Sequence, residues 1–331
     1  MKKGLPVFCL SALLVFCCSW GFLVHRTVNQ LAIYELPGEI LPFFYQHKEY
    51  LVSNAPRPDL RRNEDSTEAT RHFIDLEIFE NASTPSMPLY WNDAVKKYTK
   101  DSLLKYGYVP YQVVFTLEKL TNAFKRQKID SILYYAADLG HYIGDANVPL
   151  HTTVNYDGQL TDQKGLHSLW ESMIPEIEIG NYQLSSEHKA SYLKNPAEAI
   201  WAAVRRSASL VPEMLEKEKE VSKQFTDDQK YRIQIRRGKE SKSFTSAFAK
   251  AYAASLHNSI NAQLLHSADQ IADFWYTAWV DAGKPDMKPY LKDWSAEQDQ
   301  QLRKELEAFH SNKLLENRLL LSKQAEPFSA N

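Results

Sequence analysis

An all-α fold is the expectation for this chain of 331 residues, and three observations carry it. Apolar residues recur at helical spacing through the long segments, Gly and Pro are sparse inside them, and no alternating strand pattern of convincing length occurs. Hydrophobic residues make up 44% of the chain, ordinary for a soluble globular protein and sufficient at this length for a sizeable core. No internal repeat and no Gly/Ser linker divides the sequence, so a single large helical domain is preferred to two smaller ones.

The chain opens Met1-Lys2-Lys3, runs apolar over residues 5–16, and then offers Cys17-Cys18-Ser19 ahead of Trp20. This is the three-part pattern of a secretory signal peptide, and it is too short to span a bilayer comfortably. Residues 1–19 are therefore expected to be removed, leaving a secreted or periplasmic protein with no stable membrane anchor. All 3 cysteines, Cys9, Cys17 and Cys18, fall in this presequence, so the mature chain would hold neither thiol nor disulfide. Loss of Lys2 and Lys3 leaves 37 basic against 41 acidic residues, a net charge of −4. A mildly acidic protein is no electrostatic trap for long duplex DNA, although local cations or bound metal would still hold a phosphate.

Beyond the presequence, residues 27–36 read as a helix closed by Pro37-Gly38. Residues 100–125 keep helical spacing with a break over 107–110. Asp130 fits the N-cap of a helix through Leu133, Ala137, His141 and Ile143 that stops before Pro149. Gly165 precedes a helix through Met173 that Pro175 ends. Asn195 followed by Pro196 opens a helix towards Glu218, with a kink expected at Pro212. The polar stretch over 217–243 groups Arg232, Arg236, Arg237 and Lys239; it reads as a solvated loop, with a phosphate-binding patch as the alternative. Residues 244–282 read as one long amphipathic helix stopped by Gly283-Lys284-Pro285. From Lys288 onward the chain is charged and punctuated by Leu, which suggests a peripheral helix and a frayed tail. The expected organisation is a presequence over 1–19, a domain over 20–285 and a charged helical extension over 286–331.

Chemistry concentrates in His141-Tyr142-Ile143-Gly144-Asp145-Ala146-Asn147-Val148-Pro149-Leu150-His151. Residues four apart share a helix face, so His141 and Asp145 can point at one ion. Gly144 permits close backbone approach, and Pro149 ends the helix so that His151 can turn back. His167 and Glu171 repeat the spacing of four. One such pair is commonly a surface pair; two with a histidine between them point to metal. Upstream, Asp59 lies beside Arg61 and Arg62, and His72-Phe73-Ile74-Asp75 sets another histidine near a carboxylate. Taken alone, His72 could be a core histidine and Asp59 a turn residue. His25 follows the expected cleavage site closely. Of the 10 histidines, His47, His188, His257, His266 and His310 lack such a setting and read as structural.

These residues, in this order, resemble the superfamily of trinuclear zinc phospholipases C and single-strand-specific nucleases. The resemblance runs from Trp20 to Glu171, about half of the chain, and the segment from His141 to His151 is its most specific part. It implies a helical domain with a cleft holding about three zinc ions, of the His and carboxylate type without thiolate. By resemblance, Asp59, His72, His141 and Asp145 hold one ion, and His151, His167 and Glu171 a second. The freed amine and the carbonyl of Trp20, with His25 and Asp145, hold the third. Arg62 matches a phosphate-contacting base, Asp75 a substrate-orienting acid and Phe73 an aromatic lining the cleft. The substrate implied is single-stranded nucleic acid or a phospholipid, acted on by a monomer. The short interval from Trp20 to His25 leans towards the nucleases, and Glu171 in place of aspartate leans towards the phospholipases. An exported metal-binding protein without catalysis is the alternative class, against which Arg62 and Asp75 stand.

Overall fold

The computed structural model describes residues 22–79, 87–236 and 239–324. Trp20 and the presequence lie outside these residues. Helix accounts for 67% of the structure and strand for 3%, which places the chain in the all-α class. The helices in chain order are α1 (Phe22–Tyr34), α2 (Leu41–Gln46), α3 (Lys48–Asn54), α4 (Arg57–Arg61), α5 (Leu76–Phe79), α6 (Trp91–Tyr98), α7 (Lys100–Tyr106), α8 (Val109–Lys125) and α9 (Ile129–Ala146). After these come α10 (Leu166–Ser168), α11 (Ile174–Glu178), α12 (Pro196–Ser222), α13 (Asp227–Lys230), α14 (Ser246–Ser255), α15 (Ser259–Asp281) and α16 (Ala296–His310).

Helix α1 is buried along nearly its whole length and lies against α3, α9 and α15. Helices α8 and α9 pack as a pair joined by a tight turn, in which Gln127 takes a positive φ of 51°. Trp275 of α15 is fully buried, stacks on Phe44 at 4.9 Å and donates from Nε1 to the Ala136 carbonyl of α9 at 3.0 Å. An aromatic so placed contributes its burial, roughly 1.5–3 kcal/mol for a large apolar side chain, without leaving its N–H unpaired. A second apolar cluster forms where Leu166, Leu169, Trp170 and Ile174 meet Met214 of α12 and Phe248 and Tyr252 of α14. The two clusters meet at the C-terminal end of α9, and the candidate site lies on that seam.

The C-terminal segment closes over α1. Glu305 of α16 is buried and accepts hydrogen bonds from Tyr34 at 2.9 Å and Tyr45 at 2.8 Å, while Lys48 reaches it at 2.6 Å. Ser322 and Thr27 share a hydrogen bond of 2.8 Å. Asn195 caps α12 as its sequence suggests, accepting from the Glu198 N–H at 3.3 Å.

Several local expectations are corrected. Lys128, not Asp130, occupies the N-cap of α9, and Asp130 sits in its first turn, where an acid still favours the helix dipole. Pro175 does not end its helix: the chain passes through a π-helical stretch (Leu169–Met173) into α11, where Pro175 takes a first-turn position that needs no N–H. The long helix over 244–282 is two, α14 and α15, separated where His257 and Asn258 take φ of 46° and 64°. The polar stretch over 217–243 is not a plain loop. It continues α12 to Ser222 and then forms an antiparallel hairpin, β1 (Tyr231–Arg236) and β2 (Lys239–Phe244), with Tyr231 opposite Phe244 and Ile233 opposite Lys242. Among the described residues, no helix is long and apolar enough to cross a membrane.

Candidate metal centre

Two glycines bring the first ligands together. A Cβ at Gly140 would run into the Asn29 side chain, and one at Gly144 would stand 3.0 Å from His25 Nδ1. Glycine at these positions leaves room for the Asn29 and His25 side chains of α1 against α9. The approach stacks the His25 ring on that of His141, 4.0 Å between centroids and 25° from parallel. Asn29 reinforces it by donating to the His25 carbonyl at 2.9 Å.

His141 and Asp145 then share the face of α9 that the spacing of four requires. Asp145 Oδ2 lies 2.8 Å from His72 Nδ1 and 3.2 Å from His141 Nε2. Its other oxygen, Oδ1, lies 3.5 Å from His25 Nε2 and 3.6 Å from His151 Nδ1. Asp59, on the short helix α4, closes the first side at 3.6 Å from His72 Nδ1. Pro149 and the 3-10 turn Pro149–Thr152 bring His151 back towards α9. There His151 Nε2 stands 3.4 Å from His167 Nε2 and 3.6 Å from Glu171 Oε2, and His167 Nε2 meets Glu171 Oε2 at 2.6 Å. His25 Nε2 also lies 4.0 Å from Glu171 Oε1, which links the two ends.

Three groups result, each with ligand atoms within 4.8 Å of one another: His25 with His141 and Asp145, Asp59 with His72 and His141, and His151 with His167 and Glu171. Each group can hold a metal ion. The donor chemistry fits: ring nitrogens converge in pairs, with His141 Nε2 only 3.0 Å from His72 Nδ1, at points that carboxylate oxygens also face. Buried His151 Nδ1 has no hydrogen-bond partner and faces Asp145. Imidazole and carboxylate sets of this kind suit zinc, manganese or iron.

Electrostatics follow from the burial. Desolvation, then the neighbouring His141, pushes the His25 imidazole down to about 4 and keeps its lone pair free. Burial also opposes charge on His72, but the hydrogen bond with Asp145 prevails and lifts it to about 9. Asp145 is held well below the usual carboxylate range, against its burial, by His141 and His151. Asp75 belongs to none of the three groups. Burial, with Glu77 beside it, raises its carboxyl to about 6. Its segment is nonetheless tied to the site, because Ile74 N–H donates to the His151 carbonyl at 2.9 Å. Phe73 is half-buried, and its carbonyl accepts from Val109 N–H at 3.1 Å. Arg62 is 47% exposed and touches Asp59 Oδ1 at 3.2 Å, leaving the rest of its guanidinium open to solvent.

Residues not singled out in the sequence hold these ligands in place. Glu68 is fully buried, receives Arg71 at 2.5 Å and Arg61 at 2.9 Å, is hydrogen-bonded by Tyr142, and lies 3.5 Å from His72 Nε2. Burial alone would raise its carboxyl, but the neighbouring His72 imidazole and the hydrogen bonds from Arg61 and Tyr142 hold it well below the usual range. With Nε2 on the Glu68 side, Nδ1 of His72 faces Asp59 and Asp145. His167 is oriented in the same way by a 3.2 Å contact between Nδ1 and the Tyr156 carbonyl. The spacing of four between Glu68 and His72 was the one available signal. Outer partners of this kind commonly tune metal affinity by about 10–100-fold. Glu68→Gln is accordingly expected to weaken binding of a metal ion by these groups by about that factor, read by competition with a chromogenic chelator. Unchanged affinity in a folded variant would remove Glu68 from this role.

No family model matches the chain, and no curated protein matches it.

Proposed function

We propose that the chain is an exported, zinc-dependent phosphodiester hydrolase acting on single-stranded nucleic acid. The observation that carries this reading is Asp145, whose two oxygens face different histidine pairs and join the metal-binding groups into one continuous centre. A storage site needs no such junction, nor an arginine reaching out from Asp59 with most of its guanidinium open to solvent. Bound zinc would bring the pKa of a water to about 7 and supply positive charge opposite a phosphate.

The chain's own groups do the rest. Arg62 offers its open guanidinium edge to a non-bridging phosphate oxygen, where paired hydrogen bonds fix orientation. Asp75, with its carboxyl near 6, is ionised at neutral pH and can accept or orient a proton. Phe73 offers a ring face on which a base would stack, worth about 1–3 kcal/mol. The apolar pattern of residues 5–16 supports export. A phospholipid diester is the second reading, favoured by the exposed isoleucines of the hairpin, which is rooted beside the His167 end of the centre.

The test uses protein beginning at Trp20, with metal content measured and parallel assays on single-stranded DNA, RNA and phosphatidylcholine. About three zinc ions per chain, nucleotide release abolished by chelator, and a loss of about 100-fold in kcat for Asp75→Asn are expected. Phosphocholine release without nucleotide release would select the second reading. Fewer than two ions per chain, with nothing hydrolysed, would overturn both.

A further inference from the structure

The hairpin formed by β1 and β2 has a use that the metal centre does not explain. Its strands alternate: Tyr231, Ile233 and Ile235 point to one face, with Phe244 and Lys242 opposite the first two. The root of that face is well packed. Phe244 is buried, stacks on Phe248 at 5.1 Å, and lies where a Cβ on Gly165 would meet its ring at 3.1 Å. Further out, no described residue covers it: Ile233 is 65% exposed and Ile235 is 77% exposed. Two isoleucines presented to water on a free two-stranded ribbon are an aggregation liability unless something receives them.

Charge indicates what that is. The sequence from Tyr231 to Phe244 holds five basic residues and one acid, in a chain whose net charge is −2. Lys242 stands across from Ile233 on the same face, with its ammonium 3.6 Å from the Tyr231 ring centre, while Arg232 is exposed on the other face of the ribbon. Single-stranded nucleic acid would call for open aromatic faces on which bases stack. Here the exposed side chains are aliphatic, and the one nearby phenol is covered by Lys242. An anionic bilayer surface accepts both features, aliphatic side chains at the acyl boundary and cations among the headgroups.

We propose that this hairpin docks the protein on anionic phospholipid surfaces through Ile233 and Ile235, with Lys242 of the same face engaging the headgroups. Gly165, against which the hairpin is rooted, lies two residues before His167, so docking holds that end of the metal centre beside the lipid. The inference rests on the hairpin alone and not on the hydrolase reading.

Sedimentation with phosphatidylcholine vesicles, with and without phosphatidylglycerol, tests it. Wild-type protein is expected to partition onto the mixed vesicles and to be released by high salt. Ile233→Ser combined with Ile235→Ser should weaken that partitioning by about tenfold or more, with zinc content and melting temperature unchanged. Lys242→Glu should lower the preference for the anionic lipid. Equal vesicle binding by wild type and the isoleucine variant would overturn the proposal. So would a variant that binds vesicles normally but loses self-association or binding to single-stranded RNA.

Discussion

Under the proposed function, Asp145→Asn is expected to strip the centre of two ions at once and to lower phosphodiester hydrolysis by about 10³-fold or more. One carboxylate oxygen serves His72 and His141 while the other serves His25 and His151, so a single side chain belongs to both sides of the junction. Asparagine keeps the shape and the helix, but it removes the negative charge and replaces one acceptor with an N–H₂ pointed at imidazole nitrogens. Zinc content should fall from about three per chain to about one, the survivor being held by His151, His167 and Glu171. Glu171→Gln provides the contrast: it removes charge from the outer group alone and should cost a single ion. Metal analysis by mass spectrometry, with circular dichroism to establish that the helices persist, distinguishes loss of ligands from loss of fold. A folded Asn variant that keeps three ions and full turnover would show that the junction is not what organises the centre.

Much of this centre could be read in the sequence because its strongest pairs are local. His141 with Asp145 and His167 with Glu171 are four apart, and helical geometry alone places each pair on one face. The convergence of His25 and His72 on those pairs is different in kind. It depends on α1 crossing α9 at Gly140 and Gly144, a tertiary contact for which spacing offers only the glycines. Glu68 announces itself only through its spacing of four from His72; a glutamate between two arginines otherwise reads as surface until burial shows that Arg61, Arg71, Tyr142 and His72 all close upon it. The local errors also have physical causes. In the hairpin, Ile233 and Ile235 alternate correctly, but the flanking Arg, Gln, Lys and Ser gave the segment the composition of a solvated loop. The break between α14 and α15 carries no proline or glycine. It is made by His257 and Asn258 in left-handed conformations, which asparagine tolerates better than most residues but which no periodicity announces.

Away from the metal centre, stability itself should depend on pH through one buried acid. Glu35 follows the last turn of α1, is only 3% exposed, and has neither carboxyl oxygen hydrogen-bonded. It faces Asp269 and Asp273 of α15, and the packed segment beside it contributes His188 and Ser191, both of which bond to Asp273 Oδ1 rather than to Glu35. Burial, then the Asp269 charge, raises the Glu35 carboxyl from 4.5 to about 10, so the folded chain takes up a proton there that the unfolded chain releases. The sign is therefore fixed. This contribution is complete below the unfolded value of 4.5 and is lost as pH rises towards about 10. One such proton costs about 1.4 kcal/mol per pH unit, or about 4 kcal/mol between pH 5 and pH 8. Titration of His188, raised by its bond to Asp273, acts in the same direction, so the wild-type curve alone would not isolate Glu35. Comparison with Glu35→Gln does, because glutamine is neutral at every pH. The variant should match wild type or fall slightly below it at pH 5 and exceed it by about 3–4 kcal/mol at pH 8, read from urea midpoints with zinc held constant. Parallel stability curves for the two proteins would mean that Glu35 has access to water or a partner that keeps it ionised.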